Sequence, residues 1–193
     1  MNMDELAWGQ LNPACVRRVS PTDAERTLEV IERGDDGEAT LKINVPEGWT
    51  AIWLRLDHKT RLDLLDSQKN VDGTLLFQAP GGEWVGLVIE CKRTLTASAF
   101  LTASSQLPAG VTRLELFARF LGLPIRQHKA WIATREDKVI DLNSANPALA
   151  RRPDLVRDYR SRALTKCVFT NCLPFEIVLL DGVGYGQTTL AAC

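Results

Sequence analysis

An acid and a lysine two positions apart, Glu90 and Lys92, close the apolar run WVGLVIECK at residues 84–92. Side chains alternate along a strand, so these two leave by one face and Cys91 by the other. Alone, such a pair is a solvated strand end whose ion pair contributes at most about 1 kcal/mol. Joined by a second carboxylate, it becomes an oxygen-rich site suited to a hard divalent cation, Mg²⁺ or Mn²⁺. Asp72, at the head of VDGTLLF, is that second carboxylate. Lys92 could then orient a water or stabilise negative charge developing on a phosphate.

Whether Asp72 meets Glu90 depends on the turn between their strands. DGTLLFQA, the breaker PGGE and WVGLVIECK read as a hairpin. If Ala79 pairs with Trp84 across four loop residues, Asp72 falls opposite Cys91 and its side chain leaves by the wrong face. A five-residue loop sets Asp72 opposite Glu90, and a three-residue loop sets it opposite Lys92. An odd loop or a bulge is therefore expected.

The surrounding elements are read from periodicity. SPTDAERTLEVIERG has Ser20 as N-cap, Pro21 at the first helical position and Gly34 after the end, which predicts a helix over residues 20–34. Ala24, Leu28 and Ile31 form its apolar stripe, and Glu25, Glu29 and Glu32 form a second stripe about 100° further round. ATLKINV and TAIWLRL read as a hairpin, and KTRLDLLDSQKN as helical. After the second hairpin, TASAFLTASSQL and VTRLELFARFLG have helical spacing with Pro108 between them, and KAWIAT reads as a buried strand. From Asp141 the chain turns Arg-rich: Arg151 to Lys166 holds six basic residues against two acids. CVFTN and PFEIVLL read as strands, and the Gly-rich end DGVGYGQTTLAAC as a turn or tail rather than a phosphate loop, because it lacks the Lys-Ser/Thr ending.

The totals narrow the classes. With 193 residues, 45% of them hydrophobic, one domain over residues 1–193 is expected, its core at about 20–140 and a C-terminal extension at about 141–193. Lys and Arg (23) nearly balance Asp and Glu (24), so any contact with nucleic acid must use a local patch. No apolar stretch reaches membrane-spanning length and the first residues carry no secretory pattern, so a cytoplasmic protein with no membrane partner is expected. Five cysteines without a C-x-x-C pair read as reduced thiols, and two histidines without ligand-spaced partners argue against a histidine metal site.

The residues from VDGTLLFQAPGGEWVGLVIECKRT through ASAFLTASSQL resemble the core of the PD-(D/E)XK nuclease superfamily, in which an acid opens one strand, (D/E)-x-K ends the next and a helix follows. The resemblance covers about 40 residues closely and residues 20 to 135 loosely. It implies an α/β fold with a mixed central β-sheet flanked by helices, the restriction-endonuclease-like core. It implies Asp72 and Glu90 as metal ligands, with the Cys91 carbonyl joining them, Lys92 as the catalytic lysine and Gln106 as an accessory polar group. Glu25 or Glu29 would be the helix acid of some members, and Mg²⁺ or Mn²⁺ the cofactor. The function expected is metal-dependent hydrolysis of phosphodiester bonds in a nucleic acid, DNA in the first instance, with Arg151, Arg152, Arg157 and Arg160 gripping the backbone.

Two alternatives stand beside this. AIWLRLDHK also ends in acid-x-lysine, at Asp57 and Lys59, with Asp36 upstream and Gln68 downstream. The later copy is preferred because helix and strand follow it in the expected order. The other alternative is functional: a nuclease-like fold acting as a non-catalytic binding or regulatory module, with a protein partner, a nucleic acid or a second copy of itself. Five tryptophans suit a protein-binding surface.

Overall fold

The computed structural model describes residue 12 and residues 14–34, 37–56, 69–139 and 151–191. The elements in chain order are β1 (Val16–Val19), β2 (Thr27–Gly34), β3 (Gly37–Asn44), β4 (Thr50–Leu54), β5 (Gly73–Gln78), β6 (Trp84–Leu95), α1 (Ala97–Phe120), β7 (Ile125–Asp137), α2 (Pro153–Ser161), β8 (Ala163–Leu164), β9 (Leu173–Leu179) and β10 (Tyr185–Thr189). The fold is α/β, built on a mixed seven-stranded sheet of order β1-β4-β5-β6-β7-β9-β8. Only its β6–β7 and β7–β9 pairings are parallel; the other pairings in this sheet are antiparallel. A second sheet of three strands, β10-β3-β2, lies against it.

Period-two alternation divides the core. On β6, Val85, Leu87, Ile89 and Cys91 pack towards the small sheet, with Leu28, Val30, Leu41 and Ile43 opposite them. The other face takes Val88 and meets Phe100, Ala103, Leu107, Val111 and Leu114 of α1. Three layers result: helices, large sheet, small sheet.

The expected helix over residues 20–34 is not formed. Residues 27–34 are strand β2, paired antiparallel with β3 along its length. TLEVIER satisfies both periods, and the strand form prevails because it buries Leu28 and Val30 together. ATLKINV and TAIWLRL do not pair with each other: β3 joins β2 and β10 in the small sheet, while β4 joins β1 and β5 in the large one. The two helical segments around Pro108 are one helix of 24 residues. A continuous buried stripe from Ala97 to Ala118 outweighs the single hydrogen bond that Pro108 removes. Thr96 caps its start, its hydroxyl accepting from the Ala99 amide at 3.2 Å. Gly122, at φ +70°, closes its end, its amide donating to Arg119 and that of Leu123 to Ala118.

Residues 151–191 add strands to both sheets. β9 lies between β7 and β8, and β10 joins the small sheet parallel to β3, so this region completes both sheets. CVFTN is not a strand. None of the described helices is long and apolar enough to cross a membrane.

The two sheets come close together at Gly73. A Cβ built there would lie 2.7 and 2.9 Å from the two methyls of Val30. Both methyls belong to a buried, branched side chain that cannot yield. Gly73→Ala therefore destabilises by about 2 kcal/mol, read as a fall of several degrees in the thermal midpoint; an unchanged midpoint would show that the sheets can separate there.

Candidate active site at the β5–β6 strand end

The β5–β6 register fixes the geometry. Phe77 pairs with Val85 and Gly73 with Ile89, so residues 79–83 form a five-residue loop and Asp72 stands opposite Glu90. This is one of the two odd-loop registers that bring a carboxylate beside the acid-x-lysine pair. Beyond Gly73 the ladder stops while β6 runs on to Leu95, leaving a lip on one side of β6.

Asp72 caps that lip. Its Oδ2 accepts from the Cys91 amide at 2.7 Å. The N–H and C=O of one residue in an extended strand point to the same side, so the Cys91 carbonyl also faces the side where Asp72 lies. Glu90 is 0% exposed, its Oε1 bonded to Lys92 Nζ and its Oε2 buried without a hydrogen-bond partner. An unsatisfied buried carboxylate oxygen is costly. Burial first, then the charge of Asp72, pushes Glu90 up to about 8 against the opposing pull of Lys92. Burial alone would lower Lys92, but Glu90, Asp72 and Glu32 outweigh it and leave the ammonium raised.

Glu32, which the sequence reading set in a helical stripe with Glu25 and Glu29 without singling it out for the site, is the acid of the three that interacts with Asp72. It shares the inner face of β2 with Leu28 and Val30, two positions beyond the Val30–Gly73 contact. There it is half-buried, and burial followed by the charge of Asp72 raises its carboxyl. The signal was present in TLEVIER: read with period two, Leu28, Val30 and Glu32 share a face. Glu25 and Glu29, expected as helix acids, stand elsewhere. Glu25 pairs with Arg17 at 2.9 Å and Glu29 with Lys42 at 3.2 Å, all four side chains substantially exposed.

Gln106 reaches the lip's approach from α1. Its Nε2 donates to the Asn70 carbonyl at 2.9 Å, which fixes the amide orientation and ties the chain two residues before Asp72. Gln106 Oε1 and Asn70 Oδ1 are both buried without a hydrogen-bond partner. Gln106 therefore positions the segment that carries Asp72.

Of the four arginines, Arg152 bonds Asp154 through two nitrogens at 3.1 Å, and Arg157 contacts Asp158 at 3.2 Å. Arg151 and Arg160 are exposed. Asp57, Lys59, Asp36, Gln68 and His58 lie outside the described residues. His128 is buried at the far end of β7, with Nε2 3.0 Å from Glu115 Oε1. Burial lowers its pKa although Glu115 opposes this. It is paired with Gly86, four positions back along β6 from Glu90, and takes no part in the lip.

The lip's donor set fits a divalent cation. The oxygens of Asp72 and Glu90 and the Cys91 carbonyl are hard ligands, and Glu90 Oε2 is an orphaned buried acceptor. The carboxylates of Glu32, Asp72 and Glu90 act on one another and on Lys92. Among the described residues no group of three or more His, Cys, Asp and Glu side chains stands where it could hold a metal ion, so Glu32 does not add a third carboxylate ligand to Asp72 and Glu90. A cation here would thus keep waters in its shell, as Mg²⁺ does. The chain matches no protein-family model, no curated protein and no solved structure.

Proposed function

We propose that the lip is a divalent-cation-dependent phosphodiesterase site acting on nucleic acid, set in a core of the restriction-endonuclease-like kind. The observation that carries the reading is the five-residue hairpin loop, which stands Asp72 opposite Glu90 and beside Lys92. A chance E-x-K at a strand end has no reason to acquire a carboxylate across the ladder and an orphaned buried oxygen.

Asp72 and Glu90 would hold the cation, with the Cys91 carbonyl completing the protein ligands. When bound, Mg²⁺ or Mn²⁺ supplies a more acidic water and neutralises charge on the phosphate. Lys92, tethered by Glu90, presents its ammonium where a phosphate oxygen gains charge. The Cys91 amide holds the Asp72 carboxylate in place.

A second reading, a binding module without turnover, draws on the complete burial of Glu90 and its closure by Lys92. Titration calorimetry separates the two. Mg²⁺ and Mn²⁺ are expected to bind the wild type with one-site stoichiometry, and Asp72→Asn and Glu90→Gln each to weaken binding at least tenfold. Absence of heat in the wild type with either metal would leave the non-catalytic reading.

A further inference from the structure

The second region of chemical interest lies outside the lip, on the outer face of α1. From Ala97 to Thr112 this helix has no charged side chain. A helix face turned to solvent ordinarily carries charges; this one shows Thr102, Ser104 and Ser105 instead. They form the floor of a groove of about 590 Å³ whose opposite wall comes from α2 and the residues after it. Lys69 stands on one bank, and Arg152 and Lys166 on the other.

Each bank is built. Lys69 Nζ donates to Ser105 Oγ at 2.8 Å. Arg152 and Lys166 share Asp154, Lys166 at 3.3 Å, so this carboxylate holds both cations at the groove and is neutralised by them. The arrangement keeps Asp154 ionised, its pKa held well below the usual range chiefly by Arg152. Among the described residues the other acid lining the groove is Asp158, which is buried with its oxygens taken by Thr165 and Arg157. The floor hydroxyls of Thr102, Ser104 and Ser105 donate to carbonyls of their own helix, and a rotation would redirect them to another acceptor. The hydroxyls, the basic side chains and the apolar surface of Leu101, Pro108, Leu155 and Leu164 together suit a ligand that carries negatively charged, acceptor-rich groups beside apolar flat ones along its length.

Position connects the groove to the lip. Lys69 precedes Asp72 by three residues, at most about 11 Å of chain. Gln106, adjacent to Ser105, ties Asn70 between them.

We infer that the groove between α1 and α2 carries the phosphodiester backbone of the nucleic-acid strand, an inference that rests on the hydrolytic reading of the lip. It reassigns the basic grip: Lys69 and Lys166 join Arg152, while Arg157 is occupied in holding Asp158.

Fluorescence anisotropy in EDTA tests this without cleavage, using a fluorescein-labelled single strand and the corresponding duplex as probes. Lys69→Gln and Lys166→Gln should each weaken binding roughly fivefold at moderate salt, and each should reduce the slope of log K against log salt by about one. Arg126→Gln, whose side chain pairs with Glu83 on exposed surface away from the groove, should bind like the wild type. Unchanged affinity and slope in the Lys69→Gln/Lys166→Gln double variant would overturn the inference, as would failure of the wild type to bind either probe. The two readings fail separately. Binding through the lysines without any Mg²⁺-dependent cleavage would remove the hydrolytic reading and leave the groove, whereas undiminished cleavage by the double variant would do the reverse.

Discussion

Metal-free wild-type protein loses several kcal/mol more stability than Glu90→Gln as the pH is raised from 5 to 9. The cause is the environment of one carboxylate. Glu90 is raised from 4.5 to about 8, first by burial and then by Asp72, so between these values the folded chain binds a proton that the unfolded chain has released. The slope of stability against pH is set by protons bound in the unfolded state minus those in the folded state, and here that difference is negative. The contribution is fully present below pH 4.5 and is lost as the pH passes through 8. Its size is on the order of 4 kcal/mol.

The comparison with Glu90→Gln isolates this group from its neighbours. Glu32 changes stability in the same direction, while His128, lowered by burial, acts oppositely towards acid pH. Urea unfolding of both proteins should give curves that agree near pH 5 and separate by several kcal/mol at pH 9, with the variant the more stable. Parallel curves would mean that Glu90 is solvated or fully neutralised by Lys92. A cation that binds the ionised form should oppose the alkaline loss in the wild type, because whatever binds only the folded state stabilises it.

Much of the lip was legible before any coordinates. Its identity rested on Glu90 and Lys92 sharing a face, while counting loop residues narrowed the register only to a five-residue loop, a three-residue loop or a bulge, of which the structure has the first. Both are local consequences of the period of a strand. What could not be read was assignment among competing partners. TLEVIER carries apolar residues at positions 28, 30 and 31, which fit a helix or a strand until β3 and the large sheet are present to bury Leu28 and Val30. That one choice displaced Glu25 and Glu29 from the site and hid Glu32. The pairing of β3 with β10, from opposite ends of the chain, is likewise invisible to windows of a dozen residues. Pro108 was given too much weight as a breaker, because the burial of Phe100, Leu107 and Leu114 on one stripe is a property of the sheet beneath the helix.

Lys92 should dominate catalysis without dominating stability. Among the described residues its ammonium is the only cation paired to Glu90, and under the proposed reading it would face the phosphate oxygen that gains charge. Removing one preorganised electrostatic donor of this kind costs about 10² to 10³ in rate. Lys92→Gln keeps a hydrogen-bond donor for Glu90 and leaves the strand intact, so the loss is expected in turnover while the fold persists. Asp72→Asn is expected to match that loss: its amide can still accept from the Cys91 N–H but offers no charge to a cation.

Cleavage of labelled DNA and RNA, with Mg²⁺ and with EDTA, by the wild type, Asp72→Asn and Lys92→Gln tests the central claim most directly. The account predicts Mg²⁺-dependent product from the wild type and at least a hundredfold less from each folded variant. Equal cleavage by all three proteins, or none by a wild type that binds Mg²⁺, would contradict it.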